Sequence, residues 1–94
     1  MSKRYYVISY DISDDKKREM MAKLLERYGV RVQKSVFECY VDEKLIIEIK
    51  RKASSIIDME TDSVRFYLLC KRCVETIEFI GKTPSLEEGE IDII

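Results

Sequence analysis

Asp11 lies at the position where a predicted strand ends and a turn begins, and this position is the first indication of a ligand-binding site. Residues 4–10, RYYVISY, are rich in aromatic and β-branched side chains, which predicts a strand. Apolar residues fall on both of its faces, which favours a central strand of a sheet. Asp11 follows at the carboxyl end of that strand, where α/β sheets often bind ligands. Residues 4–15 alone leave two interpretations open: Asp11 binds a ligand, or it only caps the turn.

The sequence contains no histidine, and this limits its chemistry. Catalytic triads and paired-histidine cleavage of RNA are excluded, since both need an imidazole to transfer protons. Any hydrolysis must therefore use carboxylates, a metal ion, a tyrosine or a lysine.

The chain has three cysteines, an odd number that argues against a secreted disulfide framework. Cys70 and Cys73 form one CxxC pair, and Cys39 is the remaining thiol. A structural zinc site takes four ligands, which these residues do not supply. Zinc or redox chemistry at the pair is one interpretation; half-buried cysteines flanking a tight turn are the favoured one.

Charge is distributed unevenly along a chain whose net charge is −1. Residues 1–40 carry nine Lys/Arg and six Asp/Glu, whereas residues 75–94 carry one and six. The amino-terminal part is therefore basic and the tail acidic, which permits a phosphate-binding patch despite the net charge. A mixed, solvated surface explains the same counts, and composition does not separate the two.

The segment after Asp11 predicts a helix that runs through residue 28. Ser13 is its predicted N-cap, and two aspartates follow in the first turn, where the helix dipole favours negative charge. Gly29 is placed where a C-cap glycine belongs.

Residues 30–41 predict extended structure, but the alternation of apolar side chains between its two faces changes phase along the segment. A bulge, bend or tight hairpin is therefore required near residues 34–36. Asp42 is then the predicted N-cap of a second helix. The apolar stripe of that helix consists of Leu45, Ile46, Ile49, Ala53, Ile56 and Ile57.

Residues 63–70 alternate again and predict a strand, and Lys71-Arg72 predicts a turn into a further strand over residues 74–80. Two helices among four or five strands on 94 residues indicate an α+β fold, a ferredoxin-like sandwich with two helices on one face of an antiparallel sheet. The face of the sheet that the helices do not cover, called the uncovered face, is assigned three apolar side chains, Tyr6, Tyr67 and Leu69. Such a face is too apolar to be left in water, which predicts a homodimer.

The expected division of the chain is a ferredoxin-like domain over residues 1–80, followed by a linker and a short C-terminal strand over residues 81–94. Three of the last four residues are isoleucine, so an unpaired terminal strand would be an exposed, sticky edge. Pairing with the sheet of a second copy is the favoured solution. No apolar run approaches the length of a membrane span and no signal peptide precedes the first strand, so we expect a soluble, cytoplasmic protein with no membrane partner.

Two-fold symmetry would turn the single Asp11 into a metal site. In a dimer formed through the sheet face, Asp11 meets its own copy across the axis. Two carboxylates then hold Mg²⁺, or Mn²⁺, which also meets a substrate phosphate and stabilises charge on a phosphodiester. The positive field along a nucleic-acid backbone comes from Arg18, Arg31 and Lys34. Two aromatic residues, Tyr10 and Phe37, either stack on the ligand or pack internally, and packing is favoured for Phe37.

Four segments together resemble one family: residues 10–12 (YDI), 31–38 (RVQKSVFE), 63–67 (SVRFY) and 69–73 (LCKRC). They are similar to the corresponding segments of the small CRISPR-associated spacer-acquisition proteins, known as endoribonucleases. The resemblance covers nearly the whole chain, and the R-V-Q-x-S-V-F-E run is specific for this family.

The resemblance implies a ferredoxin-like fold and a symmetric homodimer, in which the C-terminal strand joins the partner's sheet and a divalent metal lies between the two copies of Asp11. It implies cleavage of phosphodiester bonds in single-stranded RNA or double-stranded DNA, and a complex with the CRISPR integrase around incoming DNA. Tyr10 and Asp11 become candidate catalytic residues. Arg18, Arg31 and Phe37 also match positions linked to activity in the family. One departure is Met20, where some members carry a second arginine on the first helix.

Two functions from different classes follow. The first is a metal-dependent endonuclease that uses the paired carboxylates; the second is a non-catalytic dimeric scaffold that bridges the CRISPR integrase and incoming DNA. The sequence does not choose between RNA and DNA, since a contact to the 2′-hydroxyl leaves no signature in it. A regulatory dimer that binds a small ligand is a third interpretation, but the sequence offers no glycine-rich ligand loop for it.

Overall fold

The computed structural model describes residues 2–81 as four strands and three helices in the order β1, α1, β2, β3, α2, β4 and α3. The strands are β1 (Lys3–Asp11), β2 (Gly29–Gln33), β3 (Val36–Asp42) and β4 (Ser63–Leu69). The helices are α1 (Asp15–Glu26), α2 (Glu43–Ile56) and the short α3 (Lys71–Glu75). None of these helices is long and apolar enough to cross a membrane.

The first strand is central, as its two apolar faces predict. The order across the sheet is β2-β3-β1-β4, and every neighbouring pair is antiparallel. Two βαβ units interleaved in this way form the ferredoxin-like arrangement. The predicted α+β fold class is confirmed.

The core lies between one face of the sheet and helices α1 and α2. Side chains of a strand alternate between its two faces, so Tyr6, Ile8 and Tyr10 of β1 face the helices together. They pack with buried residues of β3 and the helices, among them Phe37, Cys39, Met21, Leu25, Ile46 and Ile49. The assignment of Tyr6 to the uncovered face is therefore wrong, because the alternation that leaves Tyr67 exposed turns Tyr6 inward.

Helix α1 begins one residue later than the sequence predicts. Asp14, and not Ser13, is the N-cap: its carboxylate accepts a hydrogen bond from the Lys17 backbone N–H at 2.9 Å. The negative charge of Asp15 does lie in the first turn. The helix ends at Glu26.

Gly29 does not cap α1; it is the first residue of β2, so that prediction is also wrong. A Cβ atom on Gly29 would lie 2.5 Å from the Cys39 Sγ and closer still to the Glu38 carbonyl oxygen. Glycine is needed here because two strands approach closely, and a left-handed backbone is not involved.

The β2–β3 hairpin confirms the predicted change of phase. Lys34 and Ser35 form the turn, and the register shifts between Arg31 and Gln33. Asp42 is the N-cap of α2, as predicted, and accepts a hydrogen bond from the Leu45 backbone N–H at 2.8 Å.

The predicted strand over residues 74–80 is wrong, since residues 71–75 form α3 and residues 76–81 have no regular structure. Local hydrogen bonds take the backbone groups that a strand would offer to a neighbour: the Val74 N–H donates to the Cys70 carbonyl at 3.0 Å, and the Thr76 N–H to the Cys73 carbonyl at 3.1 Å. The predicted C-terminal strand lies outside the described residues.

Candidate functional site

A groove of about 630 Å³ opens beside the carboxyl end of β1. The end of β1, the side chains of α1 and the β2–β3 hairpin line this strand-end groove. Five of the six residues that the sequence assigned to the site contribute to its lining: Tyr10, Asp11, Arg18, Arg31 and Lys34. These residues are up to 24 positions apart in the chain, and the fold brings them to one surface.

Asp11 is exposed at the end of β1, where it pairs with Ser63 of β4. Within residues 2–81 its carboxylate makes neither a hydrogen bond nor an ion pair. Its oxygens are therefore open to a ligand.

The donor set for a metal is incomplete in one protomer. The described residues contain no group of three or more cysteine, aspartate or glutamate side chains that could hold a cation. Asp11 supplies the hard oxygen that Mg²⁺ or Mn²⁺ prefers, but such ions take six ligands. The residues fit a divalent cation only where a second copy, substrate or solvent completes the shell.

The turn that follows Asp11 is held by Arg18. The Nη1 atom of Arg18 donates to the carbonyl oxygen of Ile12 at 3.0 Å and to that of Ser13 at 3.3 Å. The same guanidinium forms an ion pair with Asp15. Arg18 therefore stabilises the turn, and its guanidinium is already engaged by these contacts.

The loop between α2 and β4 braces the same turn from the other side. The carboxylate of Asp62 accepts hydrogen bonds from the backbone N–H of Asp58 at 2.9 Å and of Ser13 at 3.4 Å. The Asp58 N–H and then the Ser13 N–H hold the pKa of Asp62 below its usual range. Asp62 carried no signal in the sequence, since this contact spans 49 residues.

Most charges of the strand-end groove are already paired. Three of its acids lie beside three of its bases: Asp15 with Arg18, Glu19 with Lys23 at 3.3 Å, and Glu26 with Arg31 at 4.0 Å. Asp11 and Lys34 line the groove without an ion pair among the described residues. The three acidic partners were missed, although the spacing of Asp15 with Arg18 and of Glu19 with Lys23 is the signal for helical ion pairs.

Tyr10 and Phe37 pack against each other beneath the groove. Their ring centroids are 6.3 Å apart at an interplanar angle of 26°. Phe37 is fully buried, with its ring 5.3 Å from the Arg31 guanidinium, so the predicted internal packing of Phe37 is confirmed. No part of the ring is open to a nucleobase.

The Tyr10 side chain is not brought beside the Asp11 carboxylate. Consecutive residues of a strand project to opposite faces, and Tyr10 is buried on the helical face. Its hydroxyl donates to the Lys34 carbonyl oxygen at 3.4 Å, which ties β1 to the hairpin turn.

The CxxC pair lies away from the strand-end groove, at the start of α3. Cys70 and Cys73 are both exposed, so the expectation that they are half-buried is wrong. Cys39 is buried in the core, where burial, and then the charge of Glu38, raise the pKa of its thiol to about 12.

The uncovered sheet face holds a hydrogen bond from Tyr5 to Glu38 that the sequence did not reveal. Tyr5 pairs with Tyr40 of β3 and with Leu69 of β4. Burial raises the pKa of Tyr5, and the hydrogen bond to Glu38 raises it further.

Fold and site together define a ferredoxin-like α+β protein with a charged groove and an exposed carboxylate at the end of its first strand. The family model described as CRISPR associated protein Cas2 matches residues 4–77. This chain belongs to that family, and the resemblance found in its sequence is confirmed.

Two relatives show how far the similarity extends. The chain is 40% identical over 94 residues to the CRISPR-associated endonuclease Cas2 2 of Thermus thermophilus, with all of each chain covered. It is 46% identical over 87 residues to the CRISPR-associated endoribonuclease Cas2 1 of Chloroflexus aurantiacus, which covers 92% of this chain and 94% of the relative.

Solved structures agree with the fold. The crystal structure of Streptococcus pyogenes Cas2 at pH 6.5 is similar with a TM-score of 0.74 and 40% identity, covering 82% of this chain and 99% of that one. A chain of a partial Cas6-RT-Cas1–Cas2 complex is similar with a TM-score of 0.70 and 33% identity, covering 82% and 90%.

Proposed function

We propose that this protein is a metal-dependent endonuclease of CRISPR spacer acquisition, which cleaves phosphodiester bonds of single-stranded RNA or double-stranded DNA as a homodimer. The observation that carries the proposal is the exposed Asp11 carboxylate, which has no partner among residues 2–81 and borders a groove that holds Lys34 and Arg31. The names of the relatives, endonuclease and endoribonuclease, support the reaction class.

The proposed homodimer supplies what one protomer lacks. A two-fold axis places the same residue twice, so the two Asp11 side chains contribute two carboxylates to one Mg²⁺ or Mn²⁺. Tyr67, which is 46% exposed on the uncovered sheet face, supports a dimer formed through that face. When bound, the metal supplies Lewis-acid stabilisation of the charge that develops on the scissile phosphodiester.

The remaining site residues act by binding and positioning. Lys34, an exposed cation, contacts a backbone phosphate, and Arg31 does so after exchanging its 4.0 Å contact with Glu26. Arg18 holds the turn that follows Asp11 through the Ile12 and Ser13 carbonyls, and this keeps the carboxylate at the mouth of the groove. The buried ring of Phe37 supports the Arg31 guanidinium from below.

The second candidate function is a non-catalytic scaffold, a dimer that bridges the CRISPR integrase and incoming DNA. Two observations favour it: a Cas2 chain of similar structure is part of a complex that contains Cas1, and the cations of the strand-end groove would bind DNA without any chemistry. In this role the basic surface and the shape of the dimer matter, and Asp11 does not.

The test compares wild type, Asp11→Asn and Glu60→Gln on labelled single-stranded RNA and double-stranded DNA, with Mg²⁺, Mn²⁺ or EDTA. Glu60 is a matched control, because it is an exposed acid that does not line the groove. We expect metal-dependent cleavage by wild type and by Glu60→Gln, and none by Asp11→Asn.

The other outcomes decide between the candidates. Cleavage by Asp11→Asn at the wild-type rate, or cleavage in EDTA, contradicts the proposed nuclease. Absence of cleavage by every protein, together with equal binding of DNA and of the integrase by wild type and Asp11→Asn, favours the scaffold. A single monomeric species in sedimentation at assay concentration contradicts both, since each requires the dimer.

A further inference from the structure

The pair Cys70 and Cys73 is unused by the proposed function, yet its geometry is that of a reactive dithiol. The two Sγ atoms lie 3.4 Å apart, and both side chains are exposed. A disulfide needs its sulfurs about 2.05 Å apart, a change that rotation of two surface side chains supplies. Cys39 is buried in the core, so it does not compete to form a disulfide with either of these thiols.

The surroundings of the two thiols differ, which gives each a separate role. The backbone N–H of Cys73, and then its side chain, lower the pKa of the Cys70 thiol. The hydrogen bond with Cys70, and then the charge of Cys70, raise the pKa of Cys73. Since the thiolate is the nucleophile, Cys70 attacks first and Cys73 follows.

A second groove, of about 370 Å³, opens beside Cys70. Its lining contains Cys70 with the cations Lys3, Arg4 and Lys71, and residues 2–81 contribute no carboxylate side chain to it. Leu68 and Leu69 add an apolar wall. A small molecule with carboxylate groups and a disulfide bond matches this charge and places its sulfurs beside the nucleophile.

We propose that Cys70 and Cys73 form a redox-active dithiol that exchanges with a small anionic disulfide bound in this groove. The Cys70 thiolate attacks one sulfur of the disulfide, forming a mixed disulfide and releasing one thiolate, which takes up a proton. The Cys73 thiolate then attacks the Cys70 sulfur, forming the Cys70–Cys73 disulfide and releasing the second thiol. Two electrons pass from the protein to the small disulfide, and two thiols are the products.

The test uses the full chain, reduced and freed of reductant, with glutathione disulfide as the probe. Acid-quenched samples are analysed by intact mass and by mapping of the modified cysteines. We expect wild type to lose the mass of two hydrogens without gaining glutathione. Cys73→Ser accumulates the mixed disulfide on Cys70, and Cys70→Ser reacts several-fold more slowly than Cys73→Ser. Cys39 stays unmodified as the internal control for a folded protein.

The groove has its own test with a matched pair of variants. Lys71→Gln removes a cation of the groove, whereas Lys44→Gln removes an exposed cation outside it. We expect Lys71→Gln to slow the reaction with anionic glutathione disulfide but not with cationic cystamine, and Lys44→Gln to change neither rate.

Four results overturn the proposal. The first is a wild-type protein that forms no Cys70–Cys73 disulfide in excess glutathione disulfide. The second is equal reactivity of Cys70→Ser and Cys73→Ser. The third is a disulfide formed only between two chains, and the fourth is a purified protein in which stoichiometric bound zinc blocks the exchange. Each is independent of Asp11 and of nuclease activity.

Discussion

Replacing Phe37 by alanine separates a nucleic-acid contact from a core contact at this residue. The side chain is fully buried and stacks on Tyr10, so the change leaves a cavity under the strand-end groove. Truncation of a buried phenylalanine costs about 3–5 kcal/mol of unfolding free energy. Domains have a total stability of about 5–15 kcal/mol, so this loss is a large fraction of it.

The assay is thermal and urea unfolding of wild type, Phe37→Ala and Phe37→Leu at one fixed protein concentration, because dimerisation makes stability depend on concentration. In a domain of this size each kcal/mol changes the Tm by roughly 4–8 °C, so we expect Phe37→Ala to lower the Tm by more than about 10 °C. Phe37→Leu fills most of the volume and costs roughly 1–2 kcal/mol.

Nucleic-acid binding measured below both unfolding transitions completes this comparison. We expect Phe37→Leu to lose little affinity, since the residue offers no exposed surface and leucine keeps an apolar side chain beneath Arg31. The reasoning is refuted if Phe37→Ala keeps the wild-type Tm while it loses affinity, because the ring would then be a contact and not part of the core.

Two further outcomes follow from the core. Gly29→Ala should lower the urea midpoint by an amount equivalent to about 1–3 kcal/mol, because the new Cβ would lie 2.5 Å from the Cys39 Sγ. An unchanged midpoint would contradict that geometry. Burial, and then the charge of Glu38, raise the pKa of Cys39 from 9.0 to about 12. The folded state therefore keeps the thiol proton to a higher pH than the unfolded state does. The stability that this protonated thiol contributes is present below pH 9.0 and is lost as the pH rises towards 12. Urea titrations across that range should show a smaller decline in Cys39→Ala than in wild type, and equal slopes would contradict this origin.

Elements whose signals are local could be predicted from the sequence. The strand β1, the N-cap Asp42 and the β2–β3 hairpin rest on alternation, capping preference and a change of phase, and all three are confirmed. The same local logic misplaced Gly29, because the requirement for glycine comes from the Glu38 carbonyl and the Cys39 side chain on the neighbouring strand. It also predicted a turn at Lys71-Arg72 and a further strand over residues 74–80, whereas local hydrogen bonds form α3 over Lys71–Glu75.

The sequence predicted most of the residues that line the candidate site, but it did not predict how their side chains are arranged. The strand-end position of Asp11 and the basic residues near it brought together Asp11, Arg31 and Lys34, which do line one groove. The sequence favoured internal packing for Phe37, which is confirmed, but it left open whether Tyr10 stacks on a ligand or packs internally, because tyrosine also occurs as an exposed stacking platform. Their burial depends on which face of the sheet the helices cover.

The ion pairs of the strand-end groove decide how its cations can serve either proposed function. Arg18 already binds two carbonyl oxygens and Asp15, and Arg31 lies 4.0 Å from Glu26. Exposed pairs of this kind contribute little stability, so an arriving phosphate replaces the Glu26 contact at low cost. Releasing Arg18 would instead leave the two carbonyls without their donor and loosen the turn that holds Asp11. Phosphate binding by the groove therefore falls to Lys34 first and Arg31 second, while Arg18 contributes by keeping the carboxylate in place.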